Sequence, residues 1–589
     1  MEEEEKKSNG ILDKTIDFMF SNDKRKWLVL IFILGIVLRF IFVRNISALG
    51  DEMVHGPHAI GFLHSGLIST IAHSPLWFYL TDLAHLIFGV TMFSSRFLSF
   101  FYGSITIILI YLISSKVFSR RVGILSAFVM AISYYHIRFT LMEMDVALIF
   151  FMLLAAYSFI LSMEKGKFPY LAAIAIGVAA LIKTLSLFFV PAFIIGFFIF
   201  NNKAKISENI KKIIWFGLII MLIFSPILIH NYLWYKDKGM VDIYFAQYFV
   251  PEVRPNYADQ AGYDSGFLYL RFFEGVKTMS VSIFKQDPLI VPLGVLGFIF
   301  AFGLRNKRKY WWFLVAFQLS GFIFLILSNW LTTHYSTMSP LLALFAGFFI
   351  DRVSRSFKEI DYKKVITVII IILLGFQLYM LWPHLSSRAG ISQMRDYAIN
   401  SMDTNSIVVV DSRIYRGRIV FMFHDFHYIE SSFFPQVYAM SQNISGEDIP
   451  MKVYFIECVP DDCGWGTVGN GPLNDSSEQI VESFKSIANP EKIIYGGGGY
   501  GDFTGEEHLK VYSTTIGLKR EVIPTIDSTH SWFYYPVNYE PKEQIYDIYD
   551  VNGSLDNLIY KFAWLITILS IIIAILLAFY PFYKIYKES

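Results

Sequence analysis

Residues 27–43 read WLVLIFILGIVLRFIFV, and a few positions later comes Gly50-Asp51-Glu52. The first stretch is nearly all Leu, Ile, Val and Phe, and it is long enough to cross a bilayer, which takes roughly 17–25 residues. The two carboxylates that follow sit at the membrane edge. Desolvating a charge costs several kcal/mol unless something offsets it, so ionisable groups there are functional candidates by default. The competing reading is a solvated loop.

The 589 residues are 54% hydrophobic and 17% charged, with mean hydropathy +0.47. Soluble domains carry about 25% charged residues, so the chain reads as an integral membrane protein. A net charge of +1 gives no sign of nucleic-acid binding. Residues 1–26 read as a charged cytoplasmic tail ahead of a signal anchor rather than as a cleavable signal peptide. Further apolar runs fall at 96–117, 122–137, 143–162, 169–182, 186–201, 213–234, 288–304, 310–329, 336–351, 364–382 and 558–580, giving about twelve spans in all. The runs 169–182 and 186–201 are short and meet at Lys183-Thr184.

Lys and Arg mark one side of the membrane. Lys24-Arg25-Lys26, Arg120-Arg121, Lys165 with Lys167, Lys211-Lys212, Lys307-Arg308-Lys309, Lys363-Lys364 and Lys584 with Lys587 all fall on that side, which is therefore expected to be cytoplasmic. Asp51-Glu52, the loop 236–287 and the block 384–556 fall on the other. Segment 55–92 is apolar but broken by histidines and Asp82, and reads as juxtamembrane helices on the outer surface.

The expected domains are the tail 1–26, a membrane domain 27–383 with outer loops 45–95 and 236–287, an extracytoplasmic domain 384–556, and a final span with a cytoplasmic tail at 557–589. In block 384–556, strands are expected at 406–411, 451–458, 492–495 and 508–513, with a helix at 476–487. That alternation makes a small α/β domain. Cys458 and Cys463, the two cysteines, form a local disulfide in an oxidising outer compartment and remain thiols otherwise. Asn443, Asn474 and Asn552 open glycosylation sequons.

Four clusters of chemistry-bearing residues reach the outer face. The first is Asp51-Glu52 with His55 and the downstream His73-Ser74-Pro75-Leu76. The second is Arg138, followed by Glu143 and Asp145. The third is Lys183, and the fourth is Thr333-His334-Tyr335-Ser336. The bland readings are a solvated acidic loop, snorkelling cations, and acids capping a helix N-terminus. The histidines of 55–85 match no metal-ligand spacing, and Gly496–Gly499 lacks the Lys-Ser/Thr of a phosphate loop.

Together the clusters suit transfer of a sugar from a lipid phosphate to a hydroxyl. The hydroxyl is a poor nucleophile and needs a carboxylate base within hydrogen-bond reach. The departing phosphate needs no acid but needs cations to hold its charge. Arg138 offers a fork of donors and Lys183 a point charge.

The chain resembles GT-C glycosyltransferases of the protein O-mannosyltransferase and aminoarabinose-transferase kind. These enzymes carry an acidic pair in the first outer loop, then His-Pro-Pro-Leu, then an Arg with a nearby acid, then a Thr-Lys turn. The matching residues here span roughly 27–350. Ser74 stands for a Pro, Lys183-Thr184 reverses the Thr-Lys order, and His334-Tyr335 stands where Arg-Tyr is common. The resemblance implies a polytopic α-helical membrane fold. Asp51 would be the base, with Glu52 orienting the acceptor or sharing that role. Arg138, Lys183, His334 and Tyr335 would bind the donor phosphate, Glu143 or Asp145 would be the second acid, and His55 and His73 would lie toward the acceptor. The implied donor is a polyprenyl- or dolichyl-phosphate sugar, a hexose such as mannose, passed with inversion to a protein, glycan or lipid. No cofactor is required by this reading, and a divalent cation at the phosphate stays open. The alternatives are an oligosaccharyltransferase, whose Trp-Trp-Asp-Tyr-Gly run is missing from 384–556, and a transporter, which would place polar groups mid-membrane in repeated halves.

Overall fold

The computed structural model describes residues 23–48, 52–64, 74–138, 140–242, 245, 272–304, 308–327, 336–357, 360–414, 416–459, 475–496, 507–530 and 549–587. In hydrocarbon a backbone N–H or C=O finds no water, so an apolar run must close its hydrogen bonds on itself as a helix. The opening stretch does so as α1 (Asp23–Asn45). There follow α2 (Glu52–His58), α3 (Leu76–Phe88), α4 (Met92–Val117), α5 (Arg120–Ile132), α6 (Tyr134–Arg138), α7 (Met144–Glu164), α8 (Tyr170–Ile182), α9 (Val190–Phe200), α10 (Ile206–Lys238), α11 (Phe272–Gln286), α12 (Ile290–Phe302), α13 (Arg308–Leu327), α14 (Ser339–Ser356) and α15 (Tyr362–Ser386). Sequence sets several starts. Thr91 caps α4 through the Ser94 N–H while Ser94 accepts from the Thr91 N–H, and Ser119 caps α5 at Val122.

The core lies around α7. That helix is apolar on every face, and such a helix is stable only when surrounded. Phe150, Phe151 and Met152 are fully buried, and Tyr102 of α4 packs its ring on both phenylalanines. Elsewhere a small residue permits close packing. A Cβ on Gly297 would lie 2.0 Å from the Phe345 carbonyl oxygen, so glycine lets α12 lie directly against α14.

Every apolar run read from the sequence falls on a helix. The run 122–137 is split at Ser133 into α5 and α6. Among the described residues, 6 helices are long and apolar enough to cross a membrane, or 7 counting the α11–α12 pair, bent by 118°. Segment 55–92 departs from expectation. Trp77, Phe78 and Tyr79 of α3 are fully covered, packed among α4, α8 and the C-terminal helix. Only the last turn, Leu86–Phe88, is open. At 13 residues, about 20 Å, α3 is too short to span, and its apolar residues on all sides put it inside the protein rather than on its surface.

Beyond α15 come α16 (Gly390–Ser401), β1 (Ile407–Val410), α17 (Arg416–Phe423), β2 (His427–Glu430), α18 (Phe434–Asn443), β3 (Ile449–Val459), α19 (Asp475–Ile487), β4 (Asn489–Gly496), β5 (Glu507–Leu518) and α20 (Ile523–Ser528). The sheet order is β2-β1-β3-β5-β4. β1 pairs in parallel with β2 and β3, while β5 runs antiparallel to β3 and β4. The fully buried run Ile407–Val410 belongs at the centre of such a sheet. The four expected strands are β1, β3, β4 and β5. β2 escaped notice because four residues with a polar one at each end carry no apolar period. The chain then returns to the bundle as α21 (Ser554–Lys587).

Candidate functional site

The site is organised by Arg96, in the first turns of α4 and 1% exposed. Its guanidinium forms a two-pronged pair with Glu52, Nε to Oε1 at 2.7 Å and Nη2 to Oε2 at 2.8 Å. Its other donors reach the carbonyls of Val43 at 2.5 Å, Ile46 at 2.8 Å and Ser47 at 2.7 Å. All five guanidinium N–H groups are thereby used. Glu52 Oε1 also accepts the Met142 N–H at 2.8 Å. One ion pair thus ties together the end of α1, the start of α2 and the loop leading into α7.

The same face of α4 holds that loop at two more points. Ser99 Oγ donates to the Glu143 carbonyl at 3.0 Å and accepts the Glu143 N–H at 3.1 Å. A Cβ on Gly103 would lie 3.1 Å from Thr140 and 3.3 Å from His136. Arg96, Ser99 and Gly103 are a helical stripe, and His136, Thr140, Met142 and Glu143 lie along it.

Glu52, read from the sequence as orienting the acceptor or sharing the base's role, is the ion-pair partner of Arg96 in the structure. The side chain is 3% exposed and both oxygens are engaged by Arg96, so its place is in the scaffold beneath the loop. Lys183 and Asp145, read separately from the sequence, form one buried pair at 2.9 Å, with side-chain exposures of 9% and 0%. Asp145 therefore partners the cation, while Glu143, half-buried, is held through its backbone. Ser74 joins this corner. Its Oγ donates to the Ala180 carbonyl at 3.0 Å and accepts the Thr184 N–H at 3.1 Å. The hydroxyl where the resemblance has a proline stitches the start of α3 to the Lys183-Thr184 turn.

Arg138, at the end of α6, donates to the Gln286 side chain at the α11–α12 bend. The next residue, Asp287, is 2% exposed. It accepts Ser133 Oγ and Gln377 Nε2, both at 2.7 Å, and Gln377 in turn accepts the Tyr134 N–H at 2.8 Å. Asp287 and Gln377 thus fasten α6, which carries Arg138, to the bend and to α15. His55 is half-buried, its ring edge-on to Phe78 at 5.8 Å. Asp51, His73, His334 and Tyr335 lie outside the described residues.

The sheet domain meets the segment around α2 directly. A Cβ on Gly417 would lie 2.0 Å from the Met53 carbonyl oxygen. Phe421 packs over Gly56, and Arg418 reaches the Ala48 carbonyl at 3.4 Å. At the end of β1, Asp411 pairs with Arg413 and accepts the Cys458 N–H at 3.1 Å. Cys458 is disulfide-bonded; Cys463 lies outside the described residues. Farther off, His530 stacks flat on Tyr428 at 3.7 Å, and burial pushes its imidazole down to about 4. Among the described residues, no group of three or more His, Cys, Asp or Glu is placed to hold a metal ion.

Arg96, Ser99, Asp287 and Gln377 were missed in the sequence. Arg96 and Ser99 sit inside an apolar run and look like ordinary interruptions. Asp287 stands before Pro288 where a helix end was expected. An Arg followed three residues later by Ser and seven later by Gly on one helix face was the signal available for α4.

Residues 72–230 match the family described as dolichyl-phosphate-mannose-protein mannosyltransferase. The resemblance read from the residue pattern is shown over this segment, which contains Ser74, Arg138, Glu143, Asp145 and Lys183. No curated protein matches the chain in sequence. Among solved structures, ArnT from Cupriavidus metallidurans bound to undecaprenyl phosphate aligns at 12% identity and TM-score 0.49, over 83% of this chain and 98% of that one. The oligosaccharyltransferase of Archaeoglobus fulgidus with zinc and sulfate aligns at 14% identity and TM-score 0.44, over 73% and 67%. The archaeal oligosaccharyltransferase AglB from Archaeoglobus fulgidus, with an inhibitory peptide and a dolichol-phosphate, aligns at 12% identity and TM-score 0.43, over 73% and 69%.

Proposed function

We propose that this protein is a membrane glycosyltransferase that moves a sugar, with mannose the expected one, from a polyprenyl- or dolichyl-phosphate donor to a hydroxyl on a protein, glycan or lipid. The site and the sheet domain would lie on the outer side, opposite the Lys/Arg-rich loops. The observation that carries the reading is the single cluster formed by three motifs distant in sequence. Arg96 holds Glu52 against the loop that leads to Asp145, Asp145 holds Lys183, and Ser74 closes the corner.

In this reading Asp51 takes the acceptor proton as the oxygen attacks the anomeric carbon, and the bond to the lipid phosphate breaks on the opposite face. One displacement inverts the centre. Glu52, the residue after Asp51 in sequence, is locked to Arg96 and so fixes the start of α2, the kind of restraint that holds a neighbouring base in place for reaction. Arg138 and Lys183 take up the charge of the departing phosphate. Asp145 moderates Lys183, and Gln286 orients Arg138. His334 and Tyr335 would complete the phosphate contacts, and His55 and His73 the acceptor side.

The test is transfer of radiolabelled mannose from polyprenyl-phosphate mannose to a Ser/Thr-rich peptide by purified protein in liposomes. Asp51→Asn should lower the rate by roughly 10²–10⁴-fold, the usual contribution of a general base, with insertion and yield unchanged. Wild-type activity in that variant would remove the base from the mechanism.

A further inference from the structure

At the Lys/Arg-rich end of the bundle, far along α1 from the site above, lies a cavity of about 640 Å³ between α1, α5 and α15. This is within the roughly 300–1,000 Å³ typical of ligand pockets. Each helix lines it with the same stripe, at i, i+3, i+4 and i+7, counted from Trp27 on α1, Arg121 on α5 and Lys363 on α15. The inner ends of the stripes are Leu34, Phe128 and Ile370. Below the rim every lining side chain except Thr367 is apolar. Seven residues of helix rise about 10 Å, so the cavity reaches about a third of the way into a hydrocarbon core of about 30 Å.

The rim has a different chemistry. All three helices begin there, so three positive dipole ends point at it. Each brings a basic pair: Arg25-Lys26, Arg120-Arg121 and Lys363-Lys364. Arg121 pairs with Asp351 at 2.8 Å and stacks on the Tyr362 ring at 3.9 Å. These contacts fix its plane but leave its Nη2 buried without a hydrogen-bond partner among the described residues. Lys363 is exposed, as is Trp27, at 60%, where an aromatic ring marks the level of lipid headgroups.

We propose that this cavity binds an anionic glycerophospholipid of the leaflet on the basic side. The phosphate sits between Arg121 and Lys363, and an acyl chain lies along the three stripes. The charge at the rim matches a phosphodiester, and the depth matches the upper part of a fatty acyl chain. The assignment stands apart from the glycosyl-transfer reading and survives its failure.

Native mass spectrometry on the full-length protein tests it, after incubation with equimolar phosphatidylglycerol and phosphatidylcholine of identical chains. The wild type should retain phosphatidylglycerol roughly fivefold to thirtyfold over phosphatidylcholine, the range that one or two cations near a membrane surface provide. Arg121→Ala with Lys363→Ala should abolish the preference, and Lys363→Glu alone, at an exposed position, should reduce it. Leu34→Trp, which fills the inner end, should lower retention of both lipids. Lys203→Ala with Lys211→Ala, basic residues on the same side away from the cavity, should change nothing. Equal retention by the wild type, loss of preference in the Lys203/Lys211 control, or displacement of phosphatidylglycerol by stoichiometric polyprenyl phosphate would each overturn the assignment.

Discussion

At one end of the bundle Arg96 commits all five donors to Glu52 and three carbonyls, and Lys183 meets Asp145, with every side chain at or below 9% exposure. At the other end Arg121 and Arg355 share Asp351 at 28% and 55% exposure, among many more basic residues. In the buried cluster each charge has a partner because bare burial would cost several kcal/mol. Such pairs set geometry: they hold loops where a reaction can use them. At the exposed end water screens each pair, so single pairs contribute little. What remains there is a field of one sign, suited to orienting the chain and attracting anions.

The largest test of that contrast is Arg96→Ala. It leaves Glu52 buried and uncompensated, a loss of about 3–5 kcal/mol, seen as a fall in Tm of the detergent-solubilised protein. Glu52→Gln with Arg96→Met should recover part of it, since replacing both partners by groups of similar shape removes the bare charge. A small effect of Arg96→Ala would mean that the buried cluster is as loosely held as the basic end.

Lys183→Met comes next, because its side chain keeps some contact with solvent. A loss of about 2–3 kcal/mol is expected for Asp145 deprived of the Lys183 cation, with Asp145→Asn in the same background restoring Tm but not glycosyl transfer. Ser74→Ala removes the stitch between the start of α3 and the Lys183-Thr184 turn. About 1 kcal/mol is expected, with faster hydrogen exchange confined to residues 180–186. Arg355→Ala at the exposed end should change Tm by no more than about 0.5 kcal/mol equivalent. A loss as large as that of Ser74→Ala would sharpen the contrast away, since it would make a screened pair worth a buried hydrogen bond.

These residues also mark how far the sequence could be read. Helices and strands with strong periods were legible: the stretch 27–43, the runs behind α4, α7 and α15, and the buried strand Ile407–Val410. Arg138, Asp145 and Lys183 were legible because ionisable groups stand out at the edges of apolar runs. Arg96 was not, because one arginine inside a long helix looks the same whether it snorkels or anchors three segments of the chain. Glu52 was picked out for its position, but its role depends on Arg96, 44 residues away. Asp287 and Gln377 needed the bend between α11 and α12, which no local pattern specifies. The basic end carried its sign plainly in the sequence, whereas the cavity there depends on three stripes from distant helices lining up in depth.

The contact of Gly417 with Met53 adds a matter of timing. Arg418 and Ala48, which meet at the same place, are 370 positions apart in the chain. Ribosomes add about 5–20 residues per second, so roughly 20 to 70 seconds separate synthesis of the segment leading into α2 from that of the helix that rests on it. Throughout that interval α2 lacks its cover. A nascent chain released early would hold Glu52, Arg96, Asp145 and Lys183 and still lack the surface of α17 that packs against α2.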